Sequence, residues 1–276
     1  MVEAEMAEPN TTSVSSLSHY TDLSGLAGII GNRQLWASNV AFLNDKEELL
    51  HGVKCARRAL SRILKDRNLV HWREAIQNVV EEIEKGRLPN TYATCFCERS
   101  DLLSQWRGYG GAQQGVCLVF ERAGLEALRS GRRSFLAPVQ YGVTSGKMQL
   151  REGLRMRLLS IAAEELTAMN EEEKREAVYE ILSELIPRFK HKGFAGELEW
   201  RLVVQHRTLR DSVCFRPDRN VLVPYIKLGN GEPLPLKRIR VGPGHDTKLT
   251  QRSVEQYLEA NGYNVEVKTS DVPFRS

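Results

Sequence analysis

Apolar residues recur along the chain at two different spacings, and these spacings predict both helices and strands. Apolar residues three or four positions apart predict one helix after Asn44-Asp45 and a second that begins near Trp72 and ends at Gly86. A third helical region, residues 148–187, is interrupted near Asn170 and ends at Pro187. Apolar runs and alternating patterns predict strands at 17–20, 35–38, 91–97, 116–120, 138–141, 198–204, 221–228, 239–241 and 264–268.

The order of these elements predicts the fold class. Strands lie towards both ends of the chain and helices cluster between them, without a regular βαβ succession or a Gly-rich phosphate loop. We therefore expect one α+β domain over residues 18–276, in which helices at 46–85 and 148–187 are insertions packed on a sheet. Residues 1–17, acidic and then rich in Ser and Thr, are expected to form a disordered tail.

Composition narrows the class of protein. The 276 residues are 41% hydrophobic and 27% charged, and no apolar run approaches the roughly 18–20 residues that span a bilayer. The N-terminus has no secretory pattern, and five widely spaced cysteines argue against a disulfide framework, so we expect a cytoplasmic protein without membrane contact. A net charge of +4 is too weak to indicate nucleic-acid binding.

Residues 196–204 carry the strongest candidate chemistry. If this segment is a strand, Leu198, Trp200 and Leu202 form an apolar face, and Glu197, Glu199 and Arg201 lie on the opposite one. Two carboxylates two residues apart would repel each other unless a cation lay beside them. The structural alternative is a solvated strand face with a weak Glu–Arg pair.

Two further segments suggest ligand contacts. His19-Tyr20-Thr21 ends a strand, where functional side chains are often displayed, although a lone histidine is more often satisfied by backbone. Trp106 and Tyr109 stand beside a glycine-rich loop and could offer a flat stacking surface for a nicotinamide or adenine ring. The alternative is that Trp106 is a core residue.

A family resemblance runs from about Ser18 to Pro273. The chain resembles an uncharacterised, largely bacterial domain of unknown function, number 2971, in Ser18-His19-Tyr20-Thr21, Leu35-Trp36-Ala37-Ser38, Phe42-Leu43-Asn44-Asp45, Cys95-Phe96-Cys97, Leu103 to Gly110, Gly115 to Phe120, Lys190 to Phe194, Glu197 to Arg201 and Val241-Gly242-Pro243-Gly244.

The opening His-Tyr-Thr and the late Glu-x-Glu are also similar to ADP-ribosyltransferases, although no Ser-Thr-Ser strand lies between them. That similarity implies a split-sheet fold and cleavage of the nicotinamide–ribose bond of NAD without a metal. It implies that Glu199 stabilises the oxocarbenium ion and that Glu197 positions or activates the acceptor, although either carboxylate could be catalytic.

The same similarity implies that His19 orients the ribose. Tyr20, Thr21, Trp106, Arg107 and Tyr109 are the other residues expected to bind NAD, and Arg33 or Arg107 is expected to meet the pyrophosphate. We expect His19 and Glu199 to line one cleft. The acceptor would be a protein or nucleic acid, and a toxin or defence role would imply an antitoxin or immunity partner.

Two other interpretations stay open at the level of sequence. One is a non-catalytic regulatory module in bacterial stress or phage defence that uses the Trp/Tyr/Gly loop as a contact surface. The other is a metal-dependent nuclease with ligands Asn44, Asp45 and Glu47, which also resemble an ordinary helix start. The cysteine spacing indicates no zinc site.

Overall fold

Helices and strands occur together in the chain, which confirms the α+β class. The computed structural model describes residues 14–42, 46–85, 91–109, 114–128, 134–205, 213–218 and 220–273. Of the expected tail, residues 1–13 lie outside this range and residues 16 and 17 belong to the first strand. Within the described residues, no helix is long and apolar enough to cross a membrane.

Twelve strands are found in the described residues. In chain order, β1 to β12 are Ser16–Asp22, Leu35–Asn39, Thr91–Cys97, Gly115–Glu121, Ser134–Pro138, Gln140–Tyr141, Phe189–Lys190, Glu199–Gln205, Val213–Asp218, Val221–Leu228, Leu236–Val241 and Glu266–Thr269.

Nine α-helices accompany them in the same part of the chain. In chain order, α1 to α9 are Leu23–Asn32, Lys46–Ile63, Arg73–Glu84, Leu103–Tyr109, Arg122–Ala127, Val143–Leu159, Ala163–Ala168, Glu171–Leu185 and Thr247–Ala260. Short 3-10 segments occupy Val40–Phe42, Arg67–Trp72, Ile186–Arg188 and Lys192–Glu197.

The chain divides into two compact units, each assembled from separate segments. Unit 1 comprises Met1–Leu35, Phe96–Ser130 and Gly229–Ser276, and unit 2 comprises Trp36–Cys95 and Gly131–Leu228. The expectation of a single domain over residues 18–276 stays a prediction.

Unit 1 contains four neighbouring strands of a sheet, in the order β12-β11-β4-β1. The β4 strand pairs antiparallel with β1 and with β11, whereas β11 and β12 run parallel. The apolar run of β4 is buried along six of its seven residues, and other strands pair with both of its edges. Asp22 caps the start of helix α1, because its side chain accepts from the backbone N–H of Gly25 at 2.7 Å.

Unit 2 combines strands with a helical core. In it β2 pairs with β3 and β10, β9 with β10, and β8 with β3 and β5. The helical core is the cluster of buried apolar side chains from α2, α3, α6, α8, the 3-10 segments Arg67–Trp72 and Ile186–Arg188, and Phe189. It includes Leu60, Trp72, Ile76, Leu154 and Leu182. The apolar residues whose spacing predicted these helices therefore lie on the faces that pack against other helices.

Several element boundaries differ from the sequence-based prediction. The predicted interruption near Asn170 is confirmed, because Asn170 caps α8 in a capping box with Glu173. A second interruption, at residues 160–162, separates α6 from α7. Strand β9 was not predicted, since its Pro217 and charged residues obscure the alternation that marks a strand.

We expect the helical core to supply much of the stability of unit 2. Leu154 on α6 is fully buried in that core, whereas Met156 on the same helix is 58% exposed. Leu154→Ala should lower the free energy of unfolding by about 2–5 kcal/mol, because it removes apolar contacts and leaves a cavity. Met156→Ala, measured in parallel by urea unfolding, should change it by less than about 0.5 kcal/mol. Equal effects of the two substitutions would contradict this description of the core.

Candidate active site

The two predicted carboxylates lie in unit 2, where a short helical turn leads into β8. The 3-10 turn Lys192–Glu197 is capped by His191, whose Nδ1 accepts from the backbone N–H of Gly193 at 3.2 Å. Leu198 then adopts a left-handed backbone with a φ of 48°, and β8 begins at Glu199. The prediction that Glu197 shares a strand face with Glu199 is therefore wrong, because the capped turn takes the place of the extended chain.

Lys190 joins the two carboxylates. Its Nζ donates to Oε2 of Glu197 at 2.6 Å and to Oε2 of Glu199 at 2.9 Å. Arg201 adds two bonds to Glu199, from Nε to Oε1 at 2.6 Å and from Nη2 to Oε2 at 3.2 Å. We call Lys190, Glu197, Glu199 and Arg201 the carboxylate cluster. Lys190 is the cation that two neighbouring carboxylates require.

Neighbouring groups hold the carboxylate cluster in place. The Tyr141 hydroxyl accepts from the backbone N–H of Glu199 at 2.8 Å, and burial raises the pKa of Tyr141 above its usual value. Arg201 also donates from Nη1 to the carbonyl oxygen of Pro187 at 2.9 Å. The Lys190 ammonium lies 4.9 Å from the centre of the Phe194 ring. The cluster is therefore fixed from several elements of unit 2.

The two carboxylates differ in their exposure to solvent. Glu199 is 7% exposed, and Arg201 and Lys190 are also buried, whereas the Glu197 side chain is 27% exposed. The alternative of a solvated Glu–Arg pair on an open strand face is therefore wrong. Burial favours a raised pKa for Glu199, but Arg201 and Lys190 outweigh it and lower this pKa to about 2. Glu199 is consequently an anion at neutral pH.

The aromatic residues proposed to stack on NAD lie in unit 1, and two of them are buried against each other. The rings of Tyr20 and Trp106 are 4.7 Å apart in an edge-to-face arrangement, and each residue is about 6% exposed. The Tyr20 hydroxyl donates to the Arg99 carbonyl at 2.8 Å and accepts from the Leu102 N–H at 3.0 Å. Burial raises the pKa of Tyr20. These contacts are those of core residues, and the stacking role stays a prediction.

The other predicted NAD contacts of unit 1 are more accessible. His19 on β1 is half-buried, with its ring 5.9 Å from that of Phe96, and Thr21 is half-buried at the end of the same strand. Arg107 is exposed and Tyr109 is 45% exposed, both at the end of α4. The predicted roles of these four residues stay predictions.

Asp101 is a residue of unit 1 that no sequence pattern selected. Its carboxylate accepts from Trp106 Nε1 at 2.7 Å, from the Asp271 N–H at 2.8 Å and from Arg240 Nη1 at 3.2 Å, and it also accepts from the Ser270 hydroxyl. It therefore ties Trp106 to the C-terminal segment. Only its position just before α4, a common place for an acidic cap, could have drawn attention to it.

The residues of the nuclease interpretation are only partly described. Asn44 and Asp45 lie outside the described residues, as does the side chain of Glu47, although α2 begins at Lys46 as an ordinary helix start would require. Among the described residues, no group of three His, Cys, Asp or Glu side chains could hold a metal ion. Arg33, one of two candidates for the pyrophosphate, donates to the carbonyl oxygen of Gly231 at 3.2 Å.

The carboxylate cluster predicts a pH-dependent contribution to stability. Glu199→Gln should lower the free energy of unfolding at pH 7 by about 3–5 kcal/mol, because Lys190 and Arg201 lose a buried anion. The folded-state pKa of Glu199 is lowered from 4.5 to about 2, so its contribution is complete above about pH 5 and is lost as the pH falls towards 2. The wild-type advantage over the variant should shrink across that range.

Urea unfolding at a series of pH values measures this difference. Glu171→Gln is the matched control, because Glu171 pairs with Lys174 at 2.7 Å but is 47% exposed. Its effect should stay below about 1 kcal/mol. A difference between wild type and Glu199→Gln that does not change between pH 7 and pH 3 would contradict the charged, buried state of Glu199.

Comparison with known proteins gives one match. No curated protein and no solved structure matches the chain. Residues 105–202 match a family described as "Protein of unknown function (DUF2971)", and this range contains the whole carboxylate cluster and Tyr141. About a third of the chain, from α4 into β8, is thus similar to that family.

Proposed function

We propose that the carboxylate cluster cleaves the nicotinamide–ribose bond of NAD, either by transferring ADP-ribose to a macromolecule or by hydrolysis. The observation that carries this proposal is the attachment of two carboxylates to one buried lysine, with only Glu197 open to solvent. Because both carboxylate oxygens lie within hydrogen-bond distance of the same nitrogen, they are less than about 6 Å apart. In enzymes that cleave glycosidic bonds, a carboxylate beside the sugar meets the positive charge of the oxocarbenium-like transition state.

The charge state of the cluster fits NAD better than an ordinary glycoside. Hydrolysis of an O-glycoside needs a carboxylic acid that protonates the leaving oxygen. With its pKa near 2, Glu199 holds no proton at neutral pH, and Glu197 is ion-paired with Lys190. Nicotinamide is bound to ribose as a pyridinium and departs as a neutral molecule, so its departure needs no acid. An ionised carboxylate beside the ribose stabilises the positive charge that develops there.

The two carboxylates then have different roles. Glu197 is the group that contacts the ribose, because its side chain is partly exposed while its Oε2 is held by Lys190. A carboxylate that is already fixed in place loses no free energy to reorganisation during the reaction. Glu199, to which the resemblance to ADP-ribosyltransferases assigned the catalytic role, has both oxygens bonded to Lys190 and Arg201 in a buried place. Burial therefore favours Glu199 as the residue that positions Lys190.

The remaining parts of the proposal come from the resemblance. They are an ADP-ribosyltransferase-like sheet, NAD contacts by the unit 1 residues, a protein or nucleic-acid acceptor and a role as a toxin or defence effector with a neutralising partner. A non-catalytic module that binds NAD without cleaving it is the alternative that the same experiment distinguishes.

Release of nicotinamide from NAD tests the proposal. The wild-type protein should release nicotinamide, and Glu197→Gln should lower kcat by about 10²–10³-fold because the developing charge loses its carboxylate. The stability of Glu197→Gln should change less than that of Glu199→Gln, since Glu197 is the more exposed residue. Liquid chromatography of the reaction mixture measures the rate.

Glu164→Gln is the control for this experiment. Glu164 is exposed in the first turn of α7, and the substitution removes the same charge without touching the carboxylate cluster, so activity should be unchanged. If NAD stabilises the protein but no nicotinamide is released, the proposed enzymatic activity is contradicted and the non-catalytic binding module is supported. Full activity in Glu197→Gln would contradict the role given to Glu197.

A further inference from the structure

Arg188 is a cation of unit 2 that the proposed chemistry does not use. It ends the 3-10 turn Ile186–Arg188, and its guanidinium carbon lies 4.3 Å from the centre of the Phe135 ring on β5. The Nε atom is buried, and within the described part of the chain it has no hydrogen-bond partner. Buried donors without a partner are rare in native proteins, so the Arg188 guanidinium has a donor capacity that no described residue meets.

The charges around Arg188 leave a positive excess. Arg157 is ion-paired with Glu184, a carboxylate whose charge also acts on Arg188. Within the described residues, Arg188 itself forms no salt bridge. Burial and the neighbouring charge of Arg157 lower the pKa of Arg188, whereas Glu184 opposes this change. Two guanidinium groups therefore share the charge of one carboxylate, and an added anion would balance the second of them.

The backbone connects Arg188 to the carboxylate cluster. Phe189 is extended, with a φ of −109° and a ψ of 134°, and its ring is buried in the helical core. Arg188 and Lys190 flank this extended residue, so their Cα atoms are roughly 7 Å apart. The carbonyl oxygen of Pro187, next to Arg188, accepts from Arg201 of the cluster.

We propose that Arg188, stacked on Phe135 and with Arg157 nearby, is a binding site for the phosphate group of a nucleotide. A guanidinium on an aromatic ring keeps its planar set of donors directed outward, and that set matches two oxygens of a phosphate. Arg188 is half-buried, so its terminal nitrogens can meet a ligand while the ring excludes water from one face. The site does not depend on which bond the carboxylate cluster cleaves.

Calorimetric titration with inorganic pyrophosphate and with ADP-ribose, at low salt and without metal ions, tests the site. Both compounds should bind the wild-type chain, and Arg188→Gln should weaken the affinity about tenfold or more, because it loses the charge and the paired donors. Arg252→Gln, which removes an exposed arginine from α9, should leave it unchanged. Acetate at equal ionic strength should not bind.

Three results would overturn the site: no binding of pyrophosphate by the wild type, equal binding by Arg188→Gln, or equal binding of acetate. If circular dichroism shows that Arg188→Gln does not fold, pyrophosphate binding by Glu184→Gln tests the site instead. Removal of that carboxylate should tighten pyrophosphate binding, and unchanged affinity would overturn the site.

Nicotinamide release is measured on the same preparations. Pyrophosphate binding without release refutes NAD cleavage alone, and release without pyrophosphate binding refutes the phosphate site alone.

Discussion

Glu199 carries a negative charge in a place almost closed to water, and two cations lie within hydrogen-bond distance of it. A charge in such a place is costly unless it is paired and its oxygens are hydrogen-bonded, and Lys190 and Arg201 meet both conditions. The pairing of Glu199 with these two cations also constrains the neighbouring groups. Lys190 is directed towards Glu197, Arg201 towards the Pro187 carbonyl, and β8 begins where the Tyr141 hydroxyl meets the Glu199 N–H. The geometry of the site follows from this one buried anion.

The helical core and the carboxylate cluster depend on the same short stretch of chain. Ile186 and Phe189 are buried among the helices, whereas Arg188 stacks on Phe135 and Lys190 bonds to the two carboxylates. A lysine has many rotamers, and holding its ammonium on two carboxylates requires a fixed backbone. Packing of Phe189 provides that fixed point. The stability of the helices and the position of the charged groups are thus linked through residues 186–190.

Sequence patterns predicted the elements whose signal is local. The periods of α2 and α3 and the apolar run of β4 are confirmed because each records which residues of an element are buried. The predicted position of Glu197 was wrong, because neither the capped turn nor the left-handed backbone of Leu198 produces a periodic pattern in the sequence. The pairing of Lys190 with Glu199 spans nine residues and a turn, and the links from Arg157 to Glu184 and from Asp101 to Arg240 span far more. Such contacts arise from tertiary packing, which spacing along the chain does not encode.

A crystal structure of the Glu197→Gln variant with NAD bound tests the central claim most directly, because the substitution keeps the shape of the site while slowing cleavage. We expect C1′ of the nicotinamide ribose beside the side chain at position 197, with Glu199 still bonded to Lys190 and Arg201. NAD bound away from the carboxylate cluster, or absent from crystals soaked at saturating concentration, would contradict the account.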